Sequence, residues 1–241
     1  MFSPKLALLL LHALIALTLA DIVVIGQISH PTPQGRDVVA DSLLSISHLE
    51  STNPSVQKYA VFVPLQDDGT TLFTIEQYTT PPAFESHVSL PAVQSLLTLL
   101  TTLNATVTLN IGSALPDLHV TKPPVPVTSD AWILIQKLTF CRNETAERMV
   151  FPAWKEVVGL VAEGEKETLF YGVYPDAEDR RRVMTVEVHE SFGYFWGEHR
   201  RTREVEVVDR RLREVEVEVE GWEVRGVGGF LERSDRGGVR T

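Results

Sequence analysis

The chain carries one cysteine, Cys141, in 241 residues, which excludes an intrachain disulfide framework and a metal site built on a cysteine pair. Cys141 is expected to be a buried small hydrophobe beside Phe140 rather than a nucleophile. Positive charge is also scarce. Twenty-two Lys and Arg face 32 Asp and Glu, a formal net charge of -10. An acidic molecule does not suit a phosphate backbone, so no nucleic-acid partner is expected. The single basic stretch, Arg200 to Arg213, is interleaved with Glu204, Glu206, Asp209 and Glu214 and reads as a solvated helix face. There is no Gly-rich phosphate loop, since Gly226, Gly228 and Gly229 lie near the C-terminus rather than between a strand and a helix. No His-x-x-x-His and no Gly-x-Ser-x-Gly occur, which leaves neither a metal-site nor a hydrolase signature, and no cofactor is expected.

Long apolar runs are missing but for one. Leu6 to Leu17 follows the positive charge of Lys5 and ends in Thr18-Leu19-Ala20, small residues of the kind a signal peptidase prefers. Residues 1–20 are therefore expected to be a signal peptide and the mature protein to be secreted, starting at Asp21, with no membrane contact after processing. The run is short for a membrane span. The alternative is a cytoplasmic protein in which this segment packs as an extra helix, and His12 within the run speaks for it. Removing Lys5 with the segment leaves 21 basic and 32 acidic residues, a charge of -11. Asn104-Ala105-Thr106 and Asn143-Glu144-Thr145 are acceptor sequences that would suit a secreted glycoprotein.

What the chain does have is repetition. Glu76, Tyr78, Phe84 and His87 reappear as Glu187, His189, Trp196 and His199, at offsets of 111, 111, 112 and 112 residues. A strand pattern precedes each copy, Ile22–Ser29 and Ile133–Phe140. Each unit is a whole small domain of roughly a hundred residues. Expected boundaries are 21–116 for the first repeat, 117–130 for a Pro-rich linker, 131–226 for the second repeat and 227–241 for a flexible tail.

Each repeat reads as strand, helix, strand, strand, helix, strand. In the first, Asp21–Ser29 is a strand, Gln34–Glu50 an amphipathic helix with Val38, Leu43, Leu44, Ile46 and Leu49 on its apolar face, and Tyr59–Leu65 with Leu72–Tyr78 a hairpin around Gln66 to Gly69. A helical region from Pro81 to about Leu103 breaks at Pro91, and Ala105–Ile111 closes the unit. In the second, Trp132–Phe140, a helix over Glu144–Ala162, a hairpin of Thr168–Tyr174 with Arg182–His189, a helix over Phe192–Leu212 and a strand over Val215–Val224 repeat the order. That last strand alternates Val inward and Glu outward. Trp132, Trp154, Trp196 and Trp222 are expected to fill the core of the second unit and the interface between repeats.

The order implies α+β architecture: two tandem ferredoxin-like repeats, each a four-stranded antiparallel sheet with helices on one face. The bare sheet faces must pack on each other. With the strand glutamate followed by an aromatic and a helix histidine, the chain resembles the antibiotic biosynthesis monooxygenase domain of the dimeric α+β barrel superfamily. The resemblance implies an intrachain barrel, a monomeric pseudo-dimer or a homodimer, and a monooxygenase-like protein that oxidises a small aromatic molecule of polyketide or quinol type without a cofactor. Haem breakdown also occurs in such folds, and His199 could serve as a proximal ligand, but nothing else in the sequence asks for haem. A secreted non-catalytic binding or scaffold protein is the alternative.

Oxidation of that kind needs a base for a phenol or anthrone proton, a role suited to imidazole. The candidate catalytic residues are His87, His189 and His199, with Tyr78, Trp196 and Glu187 orienting or stacking. The competing reading for His87 and His199 is a bond to the strand glutamate that pins helix to sheet. For His189 it is an exposed strand end.

Overall fold

The computed structural model describes residues 21–66, 69–122, 125, 127, 131–142 and 146–232. The expected signal peptide, the acceptor Asn143 and the last nine residues lie outside them. The elements are β1 (Ile22–Ser29), α1 (Pro33–Glu50), β2 (Val56–Pro64), β3 (Thr71–Tyr78), α2 (Pro81–Val88), α3 (Pro91–Thr102), β4 (Thr106–Ser113), a 3-10 turn (Pro116–Leu118) and β5 (His119–Thr121). The second half follows as β6 (Trp132–Phe140), a π turn (Ala146–Val150), α4 (Phe151–Glu163), β7 (Thr168–Pro175), β8 (Arg182–His189), α5 (Phe192–Gly197), a 3-10 turn (His199–Arg201), α6 (Arg203–Glu214) and β9 (Val217–Phe230).

Helix starts are set by side-chain caps. Thr32, Thr80, Ser191 and Thr202 each accept a hydrogen bond from the backbone N–H three residues on, and prolines open α1, α2 and α3, where a missing N–H costs nothing. Two expected helices are cut short by the same chemistry. The helix over Phe192–Leu212 is broken into α5, a 3-10 turn and α6, because Thr202 takes extended backbone (φ -68, ψ 148) and caps a new helix. Of the helix expected over Glu144–Ala162, the described part from Ala146 opens as a π turn and is α-helical only from Phe151, since Pro152 has no N–H for the carbonyl four residues back. In α1 the buried face is Val39, Leu43, Ile46, Ser47 and Glu50, so Val38 (49% exposed) and Leu49 (57%) lie outward, against expectation, and Glu50 turns in.

The strands form one antiparallel sheet in the order β4-β1-β3-β2-β9-β6-β8-β7-β5. Strand β9 is the joint. Its first half pairs with β6 (Val217 opposite Phe140, Val224 opposite Ile133) and its second half with β2 of the first repeat (Val224 opposite Pro64, Phe230 opposite Tyr59). The tail expected to be loose from residue 227 is therefore strand through Phe230, its backbone groups satisfied by β2. The first repeat reciprocates. β4 pairs with β1, and the chain then runs on to β5, which pairs with β7, so part of the expected linker is strand. A bridge between Gly112 and Asp176 closes the sheet on itself, and a Cβ at Gly112 would sit 2.2 Å from the Pro175 carbonyl oxygen.

Three apolar clusters result. One, containing Ile25, Phe62, Phe73, Ile135, Phe170 and Val186, fills the barrel interior from both repeats; the others lie between each half of the sheet and its own helices. Trp222 meets Phe73 across the repeats at 5.1 Å, and Trp132 and Trp154 are buried as expected. Trp196 is not: it is 48% exposed. Cys141 is exposed too, one residue past β6, where the strand no longer holds it inside. The alternation of β9 fails at Val219, also exposed.

Candidate functional site

Each repeat holds one buried histidine between two carboxylates. In the first, His87 Nδ1 lies 2.7 Å from Glu50 Oε1 at the end of α1, and its Nε2 3.7 Å from Glu76 Oε2 on β3. The Tyr78 hydroxyl donates to the same Glu76 oxygen at 2.5 Å. In the second, His199 Nδ1 lies 2.7 Å from Glu165 Oε2 and its Nε2 3.6 Å from Glu187 Oε2. The expected contact with the strand glutamate is thus the longer of two. The closer partner, Glu50 or Glu165, escapes the repeat pattern because the two stand 115 residues apart: Glu50 ends α1, whereas Glu165 sits in the loop after α4.

Burial raises the Glu76 carboxyl above its ordinary value, an effect that His87 and the Tyr78 hydrogen bond oppose. For Glu165 burial pushes the same way, but the His199 hydrogen bond and charge, with the Thr168 hydroxyl, outweigh it and hold the carboxyl below its ordinary value.

The second repeat adds an imidazole. His189 occupies the place of Tyr78 and is fully buried, not an exposed strand end. Its Nε2 is 3.2 Å from Glu187 Oε2 and its Nδ1 3.1 Å from the Thr168 hydroxyl, which in turn donates to Glu165 Oε2 at 2.5 Å. Thr168 pairs with His189 across the strands as Val56 pairs with Tyr78. The change from Tyr to His therefore comes with a change from Val to Thr that supplies Nδ1 with a partner. Burial lowers the His189 pKa, with Glu187 acting against it.

The ring that packs on residue 78 or 189 also identifies a corrected pairing. Phe84 packs tilted against Tyr78 at 5.3 Å, and Phe195, not Trp196, against His189 at 5.1 Å. The one-residue slip between repeats falls after Phe195, where α5 gives way to the 3-10 turn.

From there the offset is constant. With 200 − 88 = 112, residues Arg200, Val208 and Asp209 stand where the first repeat has Val88, Leu96 and Leu97. Gly221, opposite Gln136, stands where Leu109 faces Gly26. Bulk is lost at three of these positions, and the space between sheet and helices grows from about 90 Å³ in the first repeat to about 390 Å³ in the second. Glu187 and His199 line the larger cavity with Trp132, Tyr171, Phe195 and Trp196. The space between the two halves of the sheet is occupied by the interior apolar cluster. Of the candidate residues, Glu187, His199 and Trp196 line this cavity and the fully buried His189 is bonded to Glu187; Tyr78 and His87 lie in the other repeat.

The chain is similar in fold to a candidate monooxygenase of Fusobacterium nucleatum at 12% identity, with TM-score 0.74 over 89% of this chain and 97% of that one. A candidate monooxygenase of Lactobacillus acidophilus matches at 10% identity and TM-score 0.70, over 89% and 98%. The chain has the monooxygenase-type α+β barrel fold. An anthrone oxidase-like protein shares it at 10% identity and TM-score 0.58, over 89% and 97%. Identities this low concern the fold alone. No protein-family model matches the sequence, and neither does any curated protein.

Proposed function

We propose that the chain oxidises a small electron-rich aromatic molecule with molecular oxygen in the cavity of its second repeat. The observation that carries the reading is a cavity of about 390 Å³ with aromatic rings on its walls and the Glu187–His199 pair on one side. Such a volume fits a small ligand. The monooxygenase and anthrone oxidase names of proteins with this fold support the reaction class.

In this reading the Glu187–His199 pair takes a proton from a phenol or an anthrone methylene, and Trp132, Phe195 and Trp196 stack on the resulting anion. The carbanion forms a carbon–oxygen bond with O2. The hydroperoxide regains the proton and loses water, so that one oxygen atom remains as a carbonyl and the other leaves as water. No cofactor is needed for that sequence. His189 orients Glu187, while Tyr78 and His87 belong to the packing unit of the first repeat.

Oxygen uptake with an anthrone or a quinol tests this. Glu187→Gln should lower turnover on the order of a hundredfold with the melting temperature nearly unchanged. One observation favours the non-catalytic alternative: the Glu50–His87–Glu76 bonding repeats Glu165–His199–Glu187 where there is little cavity. Tight binding of an aromatic molecule without oxygen uptake would establish that binding reading. We also infer export with removal of residues 1–20; the exposed Asn104, in a left-handed turn (φ 53) after α3, is accessible to a glycan.

A further inference from the structure

We propose that Glu187, His189 and His199 form a binding site for a divalent transition metal of the zinc or ferrous class, present in the second repeat and missing from the first.

The geometry fits. One ligand atom from each of the three buried residues can be chosen so that all lie within 4.8 Å of one another. Glu187 Oε2 is 3.2 Å from His189 Nε2 and 3.6 Å from His199 Nε2. Ligands placed about 2.1 Å from a common tetrahedral centre stand about 3.4 Å apart, close to the two Glu187 distances, and the two imidazoles, within 4.8 Å of each other, would close onto the cation. Both imidazoles are held from behind. His199 Nδ1 is tied to Glu165 and His189 Nδ1 to Thr168, which leaves each Nε2 turned toward Glu187, the outer-shell arrangement of metal-bound histidine.

Proton counting strengthens the case. The Thr168 hydroxyl has one proton and donates it to Glu165, so it accepts the Nδ1–H of His189. The lone pair of a neutral His189 is then on Nε2, facing a carboxylate oxygen at 3.2 Å in a fully buried place. Two acceptors at that distance need a proton or a cation between them, and a cation held also by His199 meets that need. The first repeat has no such need: Tyr78 brings its own proton to Glu76. Glu187 and His199 also line the large cavity, which gives a cation an entry path and an open coordination position. Two imidazoles and one carboxylate suit zinc and non-haem ferrous iron.

The inference shares the cavity of the proposed function but not its chemistry. A cation on Glu187 and His199 occupies the lone pairs that would take the substrate proton, so the metal-bound and proton-accepting states exclude each other.

Chelator-treated full-length protein titrated with Co(II), read by visible absorption and calorimetry without substrate, is the test. One cation should bind per chain, with the intense absorption of tetrahedral Co(II), and zinc should displace it. His189→Tyr, which restores the residue of the first repeat, should weaken binding at least a hundredfold. Thr168→Val should weaken it about 10 to 100-fold by releasing Nδ1, and it serves if His189→Tyr fails to fold. Glu76→Gln in the first repeat should leave it unchanged. Absence of stoichiometric Co(II) binding, or binding indifferent to both second-repeat variants, overturns the proposal. Oxygen uptake by metal-free protein that takes up no Co(II) keeps the oxygenase and discards the site; Co(II) binding without uptake of oxygen does the reverse.

Discussion

Arg200 and Asp209 form a two-pronged ion pair, Nη1 to Oδ1 at 3.0 Å and Nη2 to Oδ2 at 2.7 Å, at positions where the first repeat has the apolar pair Val88 and Leu97. Both pairs border the space between helices and sheet. The ion pair keeps open a wall that the apolar pair closes. Partly exposed, it contributes on the order of 0 to 1 kcal/mol to stability.

The double replacement Arg200→Val with Asp209→Leu should therefore fold within about 1 kcal/mol of the parent in urea denaturation while shrinking the cavity. Binding of an aromatic ligand, followed by quenching of Trp132 and Trp196 fluorescence, should weaken at least tenfold. Unchanged binding would mean that the ligand sits elsewhere.

His87→Gln should cost about 1 to 3 kcal/mol, because the buried Glu50 loses its 2.7 Å partner. Ligand binding in the second-repeat cavity should be unaffected. Equilibrium unfolding and fluorescence titration of the same preparation check both halves of this statement.

Lys58 is buried at the seam between repeats, its ammonium 5.4 Å from the Phe170 ring centre, and burial lowers its pKa to about 8 despite Asp21 and Glu232. Between pH 8 and the unfolded value near 10.5 the unfolded chain holds a proton that the folded chain has released, so stability should rise with pH there. Below pH 8 both states are protonated and folding carries a constant cost of about 3 kcal/mol. Lys58→Met should raise the denaturation midpoint at pH 7 and flatten the rise measured from pH 8 to 9.5.

Residues 21–116 and 127–241 expressed apart should not fold cooperatively, because β2 loses the second half of β9 and the interior apolar cluster is split. Mixing them should restore native circular dichroism. Two stable halves that ignore each other would contradict the shared sheet.

N-terminal sequencing of protein recovered from the medium should begin at Asp21. An intact intracellular chain starting at Met1 would refute the export reading.

Much of the fold is legible in the sequence because periodicity reports burial directly: Arg182–His189 and Trp132–Phe140 match their strands residue for residue. The repeat places Glu187 and His199 at one site for the same reason. What stays hidden depends on partners distant in the chain. The Gly-rich run from Gly226 to Phe230 looks loose until β2 is beside it. Glu165 is invisible to a fixed offset, since it lies 115 residues after Glu50, in the loop that follows α4, and Thr168, at the regular offset of 112 from Val56, differs from it in residue type. Trp196 matches Phe84 in sequence, yet the broken helix turns it outward and gives its place to Phe195. The metal-like cluster has no linear signature because it joins a strand end to a turn ten residues on.

Strand β9, by pairing with both β6 and β2, makes each half of the chain a tenant of the other. Two identical subunits could share strands in the same way, but any residue removed to hollow one would be removed from both, and the weakened packing would be incurred twice. Covalent linkage breaks that symmetry. Leu97 can stay as ballast in one half while Asp209 opens the other, so a single sheet carries a filled anchor and an empty chamber, and the solidity of the first underwrites the vacancy of the second.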